Sequence, residues 1–177
     1  VHSHESYLAR LIRQGLKVAL CEQTEDPKEA RRRGGKAVVR REIVRVITAG
    51  TLTEDTLLDS RRNNYLAACA EVAGSLGIAW LDMSTGDFAI QPFARREMDA
   101  VLARLEPCEI LLPDTLIQQP ELFETLKAWR DRLTPLPASR FDSINGRRRL
   151  ESLYQVGSLD AFGAFSRSEI AAAGALI

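Results

Sequence analysis

Arginines set into an apolar run pose the first chemical question of this chain. In VVRREIVRVITAGT, residues 38–51, Arg45 stands between two valines, and Arg40 and Arg41 lead into the run. An extended segment alternates its side chains, so Arg41 and Arg45 are predicted to share a face with Ile43 and Ile47, and Arg40 to point with Val44 and Val46. A charge on such a strand must reach solvent, a carboxylate or a phosphate, because an unpaired buried charge is very costly. An ion pair to Glu22 or Glu42, or a side chain snorkelling to water, satisfies it within the domain. A phosphate satisfies it equally, since guanidinium matches phosphate geometry and such contacts set register on a nucleic-acid backbone without reading bases. Arg40, Arg41, Arg45 and the nearby Lys36 are therefore the candidates for contact with a DNA backbone. The whole chain balances 24 basic against 24 acidic side chains, yet residues 28–45 hold eight Lys/Arg against Glu29 and Glu42 alone. The positive charge forms a local patch.

Other constellations are weaker. Gly34-Gly35-Lys36 is followed by Ala37, so it lacks both the spaced glycine and the Lys-Ser/Thr pair of a phosphate loop. His2 and His4 have no acids or cysteines at ligand spacing around them. Cys21, Cys69 and Cys108 lie far apart inside apolar runs and read as buried, reduced thiols of a cytoplasmic protein. In NGRRRLESLY, residues 145–154, Arg147, Arg148 and Arg149 are predicted to open a helix, where positive charge opposes the helix dipole. Leu150, Leu153 and Tyr154 form its candidate buried stripe, and the arginines are either an exposed basic turn or a docking surface. Trp80 and Trp129 fall inside elements and read as core.

The elements that must position these residues follow from punctuation and period. Ser3 is a cap for a helix with the stripe Tyr7, Leu8, Leu11 and Ile12, which Gly15 ends. KVALCEQ, 17–23, reads as a buried strand. Asp26-Pro27 starts a short helix that Gly34-Gly35 stops. The Thr51-Leu-Thr-Glu54 box starts a turn or short helix through Leu58, and the aperiodic DSRRNN, 59–64, reads as a linker. Beyond it come strands at 65–73, 78–83 and 87–91, with Gly74, Ser75 and Gly77 as one turn and Ser84-Thr85-Gly86 as the next. A helix at 95–105, a strand at 109–112, a helix at 121–130, a proline-bearing edge strand at 132–137, and helices at 147–154 and from Glu169 onward complete the order. Three hairpin-linked strands followed by alternating helices and strands predict an α/β domain with a mixed five-stranded sheet, helices on both faces, and ribonuclease-H-like topology.

That topology makes a two-metal nuclease the alternative reading, so the acids must be weighed. The chemistry needs carboxylates converging on a metal pair. Asp114 and Glu97 stand at suitable places in the element order, but the first strand, Tyr65 to Ala70, carries no acid before Glu71. Asp82 fits a cap for the Ser84-Thr85-Gly86 turn better than a metal ligand. No stretch approaches the roughly 20 apolar residues of a membrane helix, and there is no signal peptide. The open helical pattern of SEIAAAGALI at one end and a valine at the other read as a piece of a longer protein.

GLKVALCEQTEDP followed by RREIVRVITAGTLTEDTLLDSRRNNYLAA resembles the MutS family of DNA mismatch-repair proteins, and the likeness continues through LDMSTGDF and LDAFG. Ala49 departs from it, since the family usually places proline before Gly50. The resemblance implies that 1–58 is the C-terminal half of a mismatch-recognition domain, 59–63 a linker, and 64–177 a ribonuclease-H-like connector without nuclease activity. It implies mismatched duplex DNA and MutL as partners and a homodimer for the full-length protein. It places the family's ATP and Mg sites in domains outside this chain, so no catalytic residue and no cofactor is expected here. It also places Arg148 and Arg149, with Arg147 beside them, on a MutL-facing surface.

Overall fold

The computed structural model describes residues 3–34, 37–53 and 63–177, and the chain divides into two compact units, Val1–Ala49 and Gly50–Ile177. The first unit contains α1 (Ser3–Arg13), β1 (Val18–Gln23), α2 (Pro27–Arg33) and β2 (Arg41–Ile47). Gly15, at φ 75°, ends α1 as predicted. Asp26 caps α2, its Oδ1 accepting from the Lys28 N–H at 2.8 Å, and Pro27 fills the first helical position. The expected cap-to-Leu58 turn and most of the predicted linker lie outside the described residues.

β1 and β2 form an antiparallel ribbon that departs from the predicted alternation. The pairing steps from Leu20 opposite Arg45 to Cys21 opposite Ile43, leaving Val44 as the extra residue of a bulge. Ile47 is buried and Arg45 half-buried, whereas Ile43 is 62% exposed and Arg41 is exposed too. The shared face predicted for these four residues is therefore broken. β1 is also not a buried strand, since Ala19, Cys21, Glu22 and Gln23 are exposed. A two-stranded ribbon with one small apolar patch beneath it has no second layer to hide both faces.

The second unit is a three-layer α/β structure. β3 (Tyr65–Val72), β4 (Ser75–Asp82) and β5 (Phe88–Phe93) form an antiparallel meander, and β6 (Glu109–Pro113) and β7 (Leu133–Leu136) add in parallel, giving the order β5-β4-β3-β6-β7. Pro92 and Pro135 sit in the two edge strands, where a missing donor costs least. The mixed five-stranded sheet thus has the predicted composition. α3 (Met98–Leu105), α4 (Asp114–Ile117) and α5 (Phe123–Ala128) bury Met98, Val101, Leu102, Leu116 and Leu126, together with Leu122 just ahead of α5, against Ala67, Cys69, Ile78 and Ile110. Trp80 and Trp129 pack against this cluster. On the other face, α6 (Ser143–Tyr154) and α7 (Arg167–Ala175) bury Leu150 and residues 170–173 with Ala68, Ala70 and Ala79.

Small residues on that second face let α7 lie almost on the backbone of the sheet. A Cβ at Gly77 would stand 2.6 Å from the Glu169 nitrogen, and one at Gly174 would stand 2.4 Å from Gly146 Cα. Gly77 is therefore a strand residue under a helix, where a turn is predicted. The hairpin turns instead at Ala73 and Gly74, whose φ values of 52° and 78° are the paired left-handed conformations of a tight two-residue connection. Ser166 and Glu169 cap α7 reciprocally as expected, with Ser166 N–H donating to Glu169 Oε2 at 2.8 Å and Glu169 N–H to Ser166 Oγ at 3.2 Å. The helix predicted over 121–130 divides into a 3₁₀ turn at Pro120–Leu122, α5, and a second 3₁₀ turn at Arg130–Arg132. Among the described residues, no helix is long and apolar enough to cross a membrane.

Candidate nucleic-acid interface

The basic patch is built around one carboxylate. Glu25, between β1 and α2, pairs with Arg33 at 2.5 Å and accepts the backbone N–H of Arg40 at 2.9 Å through the same oxygen. The Arg40 carbonyl in turn accepts from the Thr24 N–H at 3.1 Å. The last turn of α2, with Arg31, Arg32 and Arg33, is thereby fastened beside the start of β2. Basic side chains in that turn also complement the negative end of the helix dipole. Arg31, Arg32, Arg40 and Arg41 are all exposed. The first unit carries eleven Lys/Arg against six Asp/Glu, and residues 50–177 carry thirteen against eighteen.

The candidates separate by position. Arg40 immediately precedes β2 and keeps its side chain in solvent. Arg41 opens β2 opposite Gln23. Arg45 is half-buried opposite Leu20, next to the bulge, and is engaged within the structure. Glu22 and Glu42, the acceptors considered for Arg45, face each other directly across the ribbon. Like charges so placed disfavour the pairing. Lys36 lies outside the described residues, as does His2.

The arginine triplet of the second unit is not at a helix start. Asp142 caps α6, its Oδ1 accepting from the Asn145 N–H at 2.7 Å, so α6 begins at Ser143 and Arg147–Arg149 fall in its second turn. The sequence pattern places the start too late because Gly146 reads as a breaker, whereas it is the point where α7 crosses α6. The three side chains also diverge. Arg147 approaches Glu151 and Asp160, each at 3.8 Å. Arg149 turns inward, donating through Nη2 to the Arg140 carbonyl at 3.2 Å, with its Nε enclosed and without a hydrogen-bond partner. Arg148 alone of the three is exposed.

The acids of the alternative nuclease reading are each engaged locally. Asp82 Oδ1 accepts from the Ser84 N–H at 2.9 Å and from Ser84 Oγ at 2.5 Å, which is the predicted turn cap. Burial pushes the Asp82 carboxyl up, but the Ser84 hydroxyl and the backbone N–H groups of Ser84, Asn64 and Thr85 outweigh it and hold it below the usual carboxylate range. Glu71 binds Arg95 at 2.5 Å and Gln119 at 2.7 Å. Glu97 accepts from the Ala94 N–H and Asp114 from the Thr115 N–H. Among the described residues, no three His, Cys, Asp or Glu side chains are placed to hold a metal ion. Of the cysteines, Cys69 is buried, and burial pushes its thiol up to about 12. Cys108 is half-buried, and Cys21 is exposed on the ribbon, so the expectation that all three are buried fails at Cys21.

Two buried polar contacts that the sequence does not announce lie in the second unit: Glu109 accepts from the Gly50 N–H and from Thr134 Oγ1, and Asn64 Nδ2 donates to the Leu52 carbonyl. The signal for them was present only as a glutamate heading an apolar strand and an asparagine pair ahead of another.

Comparison with known proteins agrees along the whole chain. A family model described as MutS domain I matches residues 1–56, and one described as MutS domain II matches residues 64–177. The DNA mismatch repair protein MutS of Ruegeria pomeroyi is 51% identical over 177 residues, which is all of this chain and 20% of that protein. Proteins of the same name from Cereibacter sphaeroides and Rhizobium meliloti are 47% and 45% identical, again over all of this chain and 20% of their own lengths. This chain therefore spans about a fifth of the length of the curated relatives it matches. With both domain models in register along it and half its residues shared with such relatives, the chain belongs to the MutS family.

Proposed function

We propose that this chain is the part of a mismatch-recognition protein that lends a basic surface to duplex DNA through residues 1–58 and joins that surface to a partner through residues 64–177. The observation that carries the reading is the concentration of positive charge on the unit matched by MutS domain I, in a chain of zero net charge. Arg40 and Arg41, exposed and beside the α2 arginines, are the backbone contacts, with Lys36 and Arg45 flanking them. Such contacts position a duplex without selecting its sequence. The second unit is a ribonuclease-H-like connector, a reading supported by three antiparallel strands continued by two parallel ones with helices on both faces. Its role is docking to MutL through the α6 surface around Arg148, with Arg147 and Arg149 behind it. In the full-length homodimer, ATP and Mg act in domains beyond this chain, and their state reaches the connector as a population shift.

The test uses a full-length family member carrying this chain. Arg40→Glu with Arg41→Glu is expected to weaken mismatched-duplex binding and to flatten the slope of log affinity against log salt by about one for each phosphate that is no longer neutralised. An unchanged slope removes these residues from the interface. Arg148→Glu is expected to lose MutL capture while leaving DNA binding intact. Equal capture by mutant and wild type removes the α6 surface.

A further inference from the structure

The face of the second unit that carries α6 and α7 is not closed at the edge strand β5. α7 lies mainly over β3 and β4, where Gly77 and the alanines of the helix allow close approach. Phe88 and Ile90 of β5, beyond it, are only partly buried. They form one wall of a cavity of about 170 Å³ to which Leu150, Tyr154, Phe162 and Phe165 contribute. An apolar cavity of about 150 Å³ stays dry and takes a benzene ring, so this one has room for a single leucine or aromatic side chain. Its rim is apolar too, since Tyr154 and Phe162 are 43% and 56% exposed and their ring centroids lie 5.4 Å apart. Phe165 and Ile170 also line a second cavity, and there the chemistry changes, because Ser143, Arg147 and Arg167 stand around it. Arg167 is exposed and gives its Nε–H to a neutral partner, Ser143 Oγ at 3.3 Å. Arg147 has Glu151 and Asp160 at 3.8 Å, too far for hydrogen bonds. Among the described residues, neither guanidinium is held by a carboxylate at hydrogen-bond distance.

We propose that this groove docks an acidic peptide segment of a protein partner, with one leucine or aromatic side chain in the apolar cavity and a neighbouring aspartate or glutamate between Arg147 and Arg167. Charge complementarity selects the occupant. A carboxylate receives the guanidinium fork through two parallel hydrogen bonds, and the long contacts with Glu151 and Asp160, made at the surface, compete with it weakly. The side chain in the cavity supplies affinity and the charge pair beside it fixes orientation. Duplex DNA fits poorly, because it offers phosphates without an apolar side chain and because residues 50–177 carry eighteen acids against thirteen bases. The groove is also apart from the Arg148 surface. Residues 147, 150 and 154 share one face of α6 by their spacing, and Arg148 belongs to the next face round. The proposal therefore stands or falls without MutL.

A displayed library of short random peptides tests it on the 177-residue chain. The library is first depleted on a chain carrying Phe162→Ser and Arg167→Glu, which keeps the basic first unit and so removes peptides held there. Sequences then retained by the unsubstituted chain are expected to place a leucine or aromatic residue within a few positions of an acid. Added to isotope-labelled chain, such a peptide should shift the amides around Tyr154 and Phe165 and leave those of β6 and β7 unmoved. Arg147→Gln with Arg167→Glu should weaken binding at least about tenfold and flatten its dependence on salt. Tyr154→Ser with Phe162→Ser should weaken it about tenfold and leave that dependence in place. The proposal is overturned if no sequence survives depletion, if the survivors lack an acid, if the shifts fall elsewhere, or if both double variants bind as the parent does. Self-association of the chain that Phe162→Ser abolishes would assign the groove to a second copy and overturn it as well. Should the double serine variant fail to fold, Arg167→Gln at an exposed position and the map of shifted amides still decide.

Discussion

At the residue scale, the second unit spends its polar side chains on local closure, and two consequences are measurable. Asp82 is buried, yet four donors converge on it, so its ionised form is the stable one in the fold. A folded-state pKa below the unfolded one contributes stability that is present above the unfolded value, near 3.9, and is lost as pH falls through the folded value. Asp82→Asn is expected to destabilise the second unit by about 1–2 kcal/mol at neutral pH. The difference from wild type should shrink below pH about 4, as urea titrations at several pH values would show. A gap that stays constant into acid would mean that shape, not charge, is what Asp82 supplies. The cysteines make the second case. Cys21 is exposed, and Cys69 is buried with a raised pKa, so a brief native-state pulse of iodoacetamide followed by mass spectrometry should modify Cys21 and spare Cys69 until the protein is unfolded. Modification of Cys69 at the rate of Cys21 would contradict the packing of β3.

At the scale of elements, the second unit is mostly legible from sequence because its strands are short apolar runs between strong turn signals. What is not legible shares one cause. Gly77 and Gly146 carry the same local signal as a turn glycine, but each is glycine because α7 comes within contact distance of its backbone. A close approach between elements far apart in sequence leaves no mark on the neighbouring residues, so sequence alone displaces both the β3–β4 turn and the start of α6 toward the glycine. The bulge at Val44 is hidden in the same way, since it exists only in the pairing with the partner strand. The arginines of the ribbon stand out in the sequence, as charge needs no register to be noticed, but their faces do not. The α7 contacts yield a graded prediction. Gly77→Ala forces a Cβ into main-chain atoms of Ser168 and Glu169 and should cost about 1–3 kcal/mol by overpacking. Gly157→Ala meets no atom within 4 Å and should stay within about 0.5 kcal/mol of wild type. Equal midpoints for the two variants in denaturant would show that α7 can lift from the sheet at no cost.

At the scale of the molecule, burial and charge are divided unequally between the units, and stability should follow burial. The first unit buries Leu8, Ile12, Ala30 and Ile47, while Tyr7, Ile43, Val44 and Val46 are more than half exposed. Its eleven basic groups repel one another more than its six acids offset. The second unit has two apolar clusters, one on each face of a five-stranded sheet whose buried central strand is β3. A two-stranded ribbon with one apolar patch is marginal in water, whereas a sheet covered on both faces is not. Local opening energies should therefore rise from near zero in the ribbon to the full unfolding energy in β3. Hydrogen exchange followed by mass spectrometry should show β1 and β2 amides exchanging at least about a hundredfold faster than those of β3 and β4, a gap of about 2.7 kcal/mol. Raising salt should narrow the gap by screening the repulsion within the first unit, without changing protection in the second. Duplex DNA should narrow it further if phosphates bind the Arg40–Arg41 surface, because a ligand bound only to the folded ribbon stabilises it by mass action. Equal protection across β1 to β4 without DNA would mean that the ribbon draws stability from outside its own small core. The basic patch would then be held rigid before any duplex arrives.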